Sequence, residues 1–139
     1  MKRLLFTLAT CCVMCACEQK TEMNPFFTEF QTEYGAPDFT KIRLEHYEPA
    51  FLKGIEEQNA EIKAIVDNPE EPTFENTIVA LDKSGGILAR VSGVFFALTE
   101  ADTNDSLTAL NEKMAPVLSE HSDNIYRSEE RRVGKECRS

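Results

Sequence analysis

The sequence predicts an all-α fold, a helical bundle of at least three helices. Apolar residues recur at three- and four-residue steps in three successive stretches, and no stretch sustains β alternation. Loop-forming Pro, Asn and Asp gather between those stretches, and the connections are short enough to make neighbouring helices antiparallel. At 139 residues, the chain can form one domain with a core of its own. A content of 42% hydrophobic and 28% charged residues is a globular balance.

Both ends read as lying outside the bundle. Met1-Lys2-Arg3 is followed by the apolar run Leu4-Leu5-Phe6-Thr7-Leu8-Ala9, which is too short for a permanent membrane span. Residues 1–16 therefore read as a secretory signal peptide. Met14-Cys15-Ala16-Cys17 resembles a bacterial lipobox, with small Ala16 before the cysteine that takes the lipid. Cys17 is the expected attachment site and Cys15 a weaker alternative, because polar Glu18-Gln19-Lys20 follows Cys17 at once as a tether would. Residues 17–23 form that tether. The chain is thus expected to be an exported, membrane-anchored lipoprotein of the cell envelope, facing the periplasm. At the other end, residues 127–139 (RSEERRVGKECRS) hold five cations and three anions with no helical or strand period. They look like a sequencing adapter translated in frame, so the native sequence is expected to stop near Tyr126.

Between the ends, residues 17–126 carry 8 cations and 21 anions, a net charge of −13. Nucleic acid is excluded as a partner, because neutralising phosphates needs a basic face. The body has no cysteine beyond Cys17, which excludes a disulfide scaffold and a cysteine metal site.

The first part of the body, Glu18 to about Lys41, reads as an extended arm. Asn24-Pro25 and Gly35-Ala36-Pro37 break it into turns, and Phe26, Phe27, Phe30, Tyr34 and Phe39 anchor it on the bundle. A first helix is expected from about Pro49, at the first helical position, to Val66, with Phe51, Ile55, Ile62 and Val66 as its apolar stripe. Asp67-Asn68-Pro69 stops it, and Thr73 caps the next. The second helix is expected from Phe74 to about Thr99. Phe74, Ile78, Leu81, Gly85, Leu88, Ser92 and Phe95 form one stripe, and Ile87, Val91, Val94 and Leu98 a second. Gly85-Gly86 marks either a break or a close packing contact. Ala101 to Asp105 is a capping loop. A third helix then carries Leu107, Leu110, Met114, Val117, Leu118 and Ile125, with Pro116 expected to kink or split it. The stripe Val91, Val94 and Leu98 exceeds what three helices can shield, and so predicts an uncovered apolar face.

Chemistry-bearing patterns are sparse. His46 and His121 are far apart and neither lies in an H-E-x-x-H, so each reads as a packed or capping histidine. Glu56-Glu57 and Glu70-Glu71 read as solvated faces and loops. There is no G-x-S-x-G and no phosphate loop. The residues alone describe a helical module without catalytic or metal-ligating residues.

A resemblance adds to this reading. Glu45-His46-Tyr47-Glu48-Pro49-Ala50-Phe51 is followed by Asn68-Pro69 and then by Pro72-Thr73-Phe74-Glu75-Asn76-Thr77-Ile78. Leu81-Asp82-Lys83-Ser84-Gly85, Arg90-Val91 with Val94-Phe95-Phe96, and Thr103-Asn104 continue in order, and Asn24-Pro25-Phe26 precedes them. Together these blocks resemble the N-terminal region of the thimet oligopeptidase-like zinc metallopeptidases, in particular bacterial peptidyl-dipeptidases and oligopeptidase A. The resemblance covers nearly all of residues 24–126. It implies a much longer parent, an all-helical enzyme whose H-E-x-x-H zinc site lies in a C-terminal half absent from this sequence. Peptides with a free C-terminus are the implied substrates, and the matched region is the implied wall of the substrate channel. No position here corresponds to a zinc ligand or catalytic residue, so zinc is expected in the parent and none in this chain. The other reading is a complete small helical lipoprotein, a non-catalytic binding or interaction module.

Overall fold

The computed structural model describes residues 23–133. The signal peptide of residues 1–16, Cys17, the rest of the tether up to residue 22, and Cys137 lie outside the described residues. Among those described, every regular element is helical and none is a strand. No helix there is long and apolar enough to cross a membrane.

Two short 3₁₀ turns, Pro25–Phe27 and Glu33–Gly35, precede helix α1, Leu44–Val66. Helix α1 starts a turn earlier than Pro49 predicts. Extended Arg43 donates its backbone N–H to His46 Nδ1 at 3.1 Å, while the His46 N–H reaches back to the Arg43 carbonyl at 3.0 Å. This reciprocal closure starts the helix upstream and leaves Pro49 inside its second turn. The carbonyl that Pro49 cannot bond belongs to Glu45, an exposed residue whose backbone water can satisfy. Asp67 caps the other end through its N–H to the Lys63 carbonyl, and its carboxylate pairs with the Lys63 ammonium.

The expected second helix is two pieces. A π-helical turn, Phe74–Val79, runs into the short α2, Ala80–Asp82, and a separate α3 spans Gly86–Ala101. Gly85 sits between them in the left-handed region at φ 75°, so the chain turns instead of continuing. The break also separates the two halves of the predicted stripe. Phe74 and Ile78 face solvent, whereas Val91 and Phe95 are fully buried and Val94 nearly so. The stripe expected to be uncovered, Val91, Val94 and Leu98, thus belongs to the core or packs against it.

Helix α4, Asp105–Val133, begins with Asn104 Oδ1 accepting the Leu107 N–H at 3.0 Å. It runs as one helix through Pro116, which does not split it, and continues past Tyr126 into the basic run. Residues 127–133 contain no glycine or proline, so nothing local ends the helix before Gly134.

The core holds Phe26, Tyr47, Ala50, Phe51, Val91, Val94, Phe95, Leu107 and Met114. Phe95 is its hub, with ring centroids 5.3 Å from both Tyr47 and Phe51 in edge-to-face arrangement. Phe26 enters from the first 3₁₀ turn and lies 5.2 Å from Tyr47. Asn24 holds that turn in place, donating from Nδ2 to the His46 carbonyl at 2.7 Å and accepting the Phe26 N–H at 3.0 Å. Arg90 Nη1 donates to the Phe26 carbonyl at 2.7 Å. Gly54 fixes how closely α1 and α3 approach, since a Cβ there would lie 2.8 Å from the Leu88 backbone nitrogen. With Gly54 against Leu88 and Tyr47 against Phe95, α3 runs opposite to α1. Glu48 pairs with Lys113 and Gln58 with His121, so α4 runs parallel to α1. The central helix is therefore α1, packed on both α3 and α4.

Candidate functional site

The densest polar constellation lies where α1, the Ser84–Gly85 turn and α4 meet. Gln58 and Glu61, three residues apart on α1, face that turn. The Glu61 carboxylate accepts the Gly85 N–H at 2.7 Å, and Gln58 Nε2 donates to Ser84 Oγ at 3.2 Å. Ser84 donates its hydroxyl to the Leu81 carbonyl at 2.8 Å. Gln58 Oε1 lies 2.7 Å from His121 Nε2 on α4. A carbonyl oxygen only accepts, so this contact assigns the proton to Nε2 and leaves Nδ1 a bare lone pair.

His121 is 6% exposed, and its Nδ1 has no hydrogen-bond partner among the described residues. Burial pushes the imidazole below its ordinary pKa, so the neutral form is favoured. Gly85 is required here by its positive φ, and a Cβ would also displace the movable end of Gln58, whose Nε2 would lie 2.5 Å away. The constellation contains a serine and a histidine, yet it is no nucleophile and base pair. Both bond Gln58 and not each other, and the Ser84 hydroxyl proton is directed at a backbone carbonyl. What the arrangement does is join three segments.

Zinc does not fit the described residues. His46 Nδ1 is occupied by the Arg43 N–H at the start of α1, and His121 Nε2 by Gln58 midway along α4. Among the described residues no three His, Cys, Asp or Glu groups converge as metal ligands would.

The most specific block of the sequence, Pro72 to Ile78, forms a self-capped turn. Thr73 Oγ1 accepts the Asn76 N–H at 3.1 Å, and Asn76 Oδ1 accepts the Thr73 N–H at 2.8 Å. Asn76 Nδ2 donates to the Glu71 carbonyl at 2.9 Å. The cap fixes a turn that buries Thr77 while Phe74 remains 66% exposed. Thr73 is thus the cap that the sequence predicts. Gln58 and Glu61 were not singled out by sequence. Their only signal is a position four and seven residues beyond Gly54, on the face of α1 that carries the helix crossing.

No family model matches the chain. The chain is similar to curated peptidases, however. It is 48% identical over 106 residues to dipeptidyl carboxypeptidase of Escherichia coli K12, an alignment covering 76% of this chain and 16% of that protein. Identity to dipeptidyl carboxypeptidase of Salmonella typhimurium is 45% over 103 residues, 74% of this chain and 15% of the relative. Oligopeptidase A of the same organism is 27% identical over 99 residues, 71% of this chain and 14% of the relative. The chain spans about a sixth of the length of the curated relatives it matches. These alignments establish a relationship to peptidyl-dipeptidases and oligopeptidase A over about three quarters of the chain.

Proposed function

We propose that this relationship reflects function, and that the chain is the N-terminal helical region of an exported zinc metallopeptidase, a peptidyl-dipeptidase. The parent removes dipeptides from the free C-termini of short peptides. The observation that carries this reading is the gap between 48% identity to a dipeptidyl carboxypeptidase and 27% to an oligopeptidase A over similar spans. In this reading the metal and its ligands lie in the polypeptide outside this chain, and the residues described here bind no substrate atom in the reacting centre. They build one helical wall of the substrate channel. The aromatic core around Phe95 and the close crossing at Gly54 support that role, because a wall must hold its shape when peptides enter. The protein is held at a membrane of the cell envelope by lipid on Cys17, facing the periplasm.

The gene tests the reading directly. An open frame continuing past the Tyr126 codon to an H-E-x-x-H is the expected result, whereas a stop codon soon after Tyr126 would contradict it. The 139-residue chain, given short peptides and added zinc, is expected to release no dipeptide. Chelator-sensitive release would show that this assignment of parts is wrong. For the anchor, fatty-acid labelling is expected in the wild type and lost in Cys17→Ala. Equal labelling of both would move the site, with Cys15 the next candidate.

A further inference from the structure

The outer face of α3 carries an apolar groove of about 530 Å³ between that helix and the segment before α1. Phe30, Pro37 and Phe39 form one wall, and Val94 and Gly93 belong to the opposite side. Three features of this face have no compensation within the described residues. Phe39 stays 55% exposed at the groove. Tyr34, next to the groove residue Gly35, holds a left-handed backbone at φ 63° and is 95% exposed, a strained state for an aromatic residue that gains no burial from it. Gly93 sits inside α3, where glycine lowers helix propensity, and a Cβ there would meet nothing within 4 Å. Gly54 and Gly85, by contrast, each have a reason inside the chain, the Leu88 backbone at Gly54 and the positive φ at Gly85.

We infer that this groove seats a helix from the polypeptide that follows this region in the full-length protein, with its backbone close to Gly93 and its side chains against Phe39 and Tyr34. The inference rests on the proposed function, since the occupant belongs to the parent enzyme. Its basis is length: the matched relatives extend over about six times the aligned span. A second copy of this chain is a poorer occupant, because each copy carries a net charge of −9. A peptide substrate is poorer too. The groove's cation, Arg90, already donates from Nη1 to the Phe26 carbonyl at 2.7 Å, which ties its guanidinium to the turn beside the groove and leaves only part of its fork for a terminal carboxylate.

The test compares the 139-residue chain with the full-length protein from the longer reading frame, and dipeptide release by the latter checks the proposed function separately. Hydroxyl-radical labelling of Tyr34 and Phe39 is expected to be several-fold slower in the full-length protein. Gly93→Leu is expected to leave the melting temperature of the 139-residue chain unchanged or higher, and to lower that of the full-length protein by at least about 3 °C. Gly93→Ala, the milder variant, is expected to move both in the same directions by less. Equal labelling in an active full-length protein would overturn the inference while sparing the proposed function. So would a neutral Gly93→Leu in both proteins. Protection that grows with concentration of the 139-residue chain alone would assign the groove to a second copy and overturn it as well.

Discussion

Helix α1 makes two interfaces of different kinds. Toward α3 it is apolar and closely packed: Tyr47, Phe51 and Phe95 stack edge to face, and Gly54 lets the helix backbones approach until a Cβ has no room. Toward α4 it is bridged by polar groups, Glu48 to Lys113 at 2.6 Å and Gln58 to His121 at 2.7 Å, alongside Leu107 and Met114. The first interface is stabilised by burial and close packing, which respond to the loss of any one side chain. The second relies on hydrogen bonds and an exposed ion pair, whose net contributions are smaller and depend on protonation. Helices α1 and α3 with the turn around Phe26 therefore form the firm body, and α4 is the more separable element.

Substitutions can break this contrast. Phe95→Ala removes the ring on which Tyr47 and Phe51 converge, and is expected to cost about 3–5 kcal/mol in urea denaturation, the largest effect of any variant here. Gly54→Ala is expected to cost about 1–3 kcal/mol despite the better helix propensity of alanine, since the Leu88 backbone must move to admit the Cβ.

On the α4 side the lever is pH. Burial lowers the folded-state pKa of His121 below the ordinary imidazole value of about 6.5, so the unfolded chain takes up that proton first as pH falls. The stabilisation is full above about pH 6.5 and declines as pH drops from there toward the folded-state pKa. The urea midpoint is expected to be lower at pH 5.5 than at 7.5, with less of a difference in His121→Asn. An unchanged pH dependence in that variant would remove His121 from the account. Lys113→Ala is expected to cost less than about 1 kcal/mol, because its ion pair with Glu48 is exposed and screened by water and salt. A larger loss would make the second interface more like the first.

The parts legible in the sequence were those set by periodicity and local chemistry. The all-α class, the stop at Asp67-Asn68-Pro69, the cap at Thr73 and the capping role of His46 follow from residues within a turn or two of one another. Apart from the start of α1, the misread parts depend on partners distant in sequence. Pro49 suits a first helical position, but the Arg43 and His46 closure starts α1 before it. The stripe from Phe74 to Phe95 is unbroken as a string of residues. Only Glu61 and Gln58, more than twenty positions away, show why the chain turns at Gly85. The polar junction was invisible for the same reason, as Gln58 and His121 lie 63 positions apart. Val91 and Val94 were assigned to an uncovered face because the burial of Phe26, Tyr47 and Phe51 against α3 could not be counted from α3 alone.

Hydrogen exchange of the backbone amides, followed helix by helix in the 139-residue chain, tests the contrast most directly. The account predicts that interior amides of α1 and α3 exchange together at the highest opening free energy, and that those of α4 beyond Pro116 open separately and more easily. Equal protection along all three helices would contradict it, and would make α4 as firmly bound to α1 as α3 is.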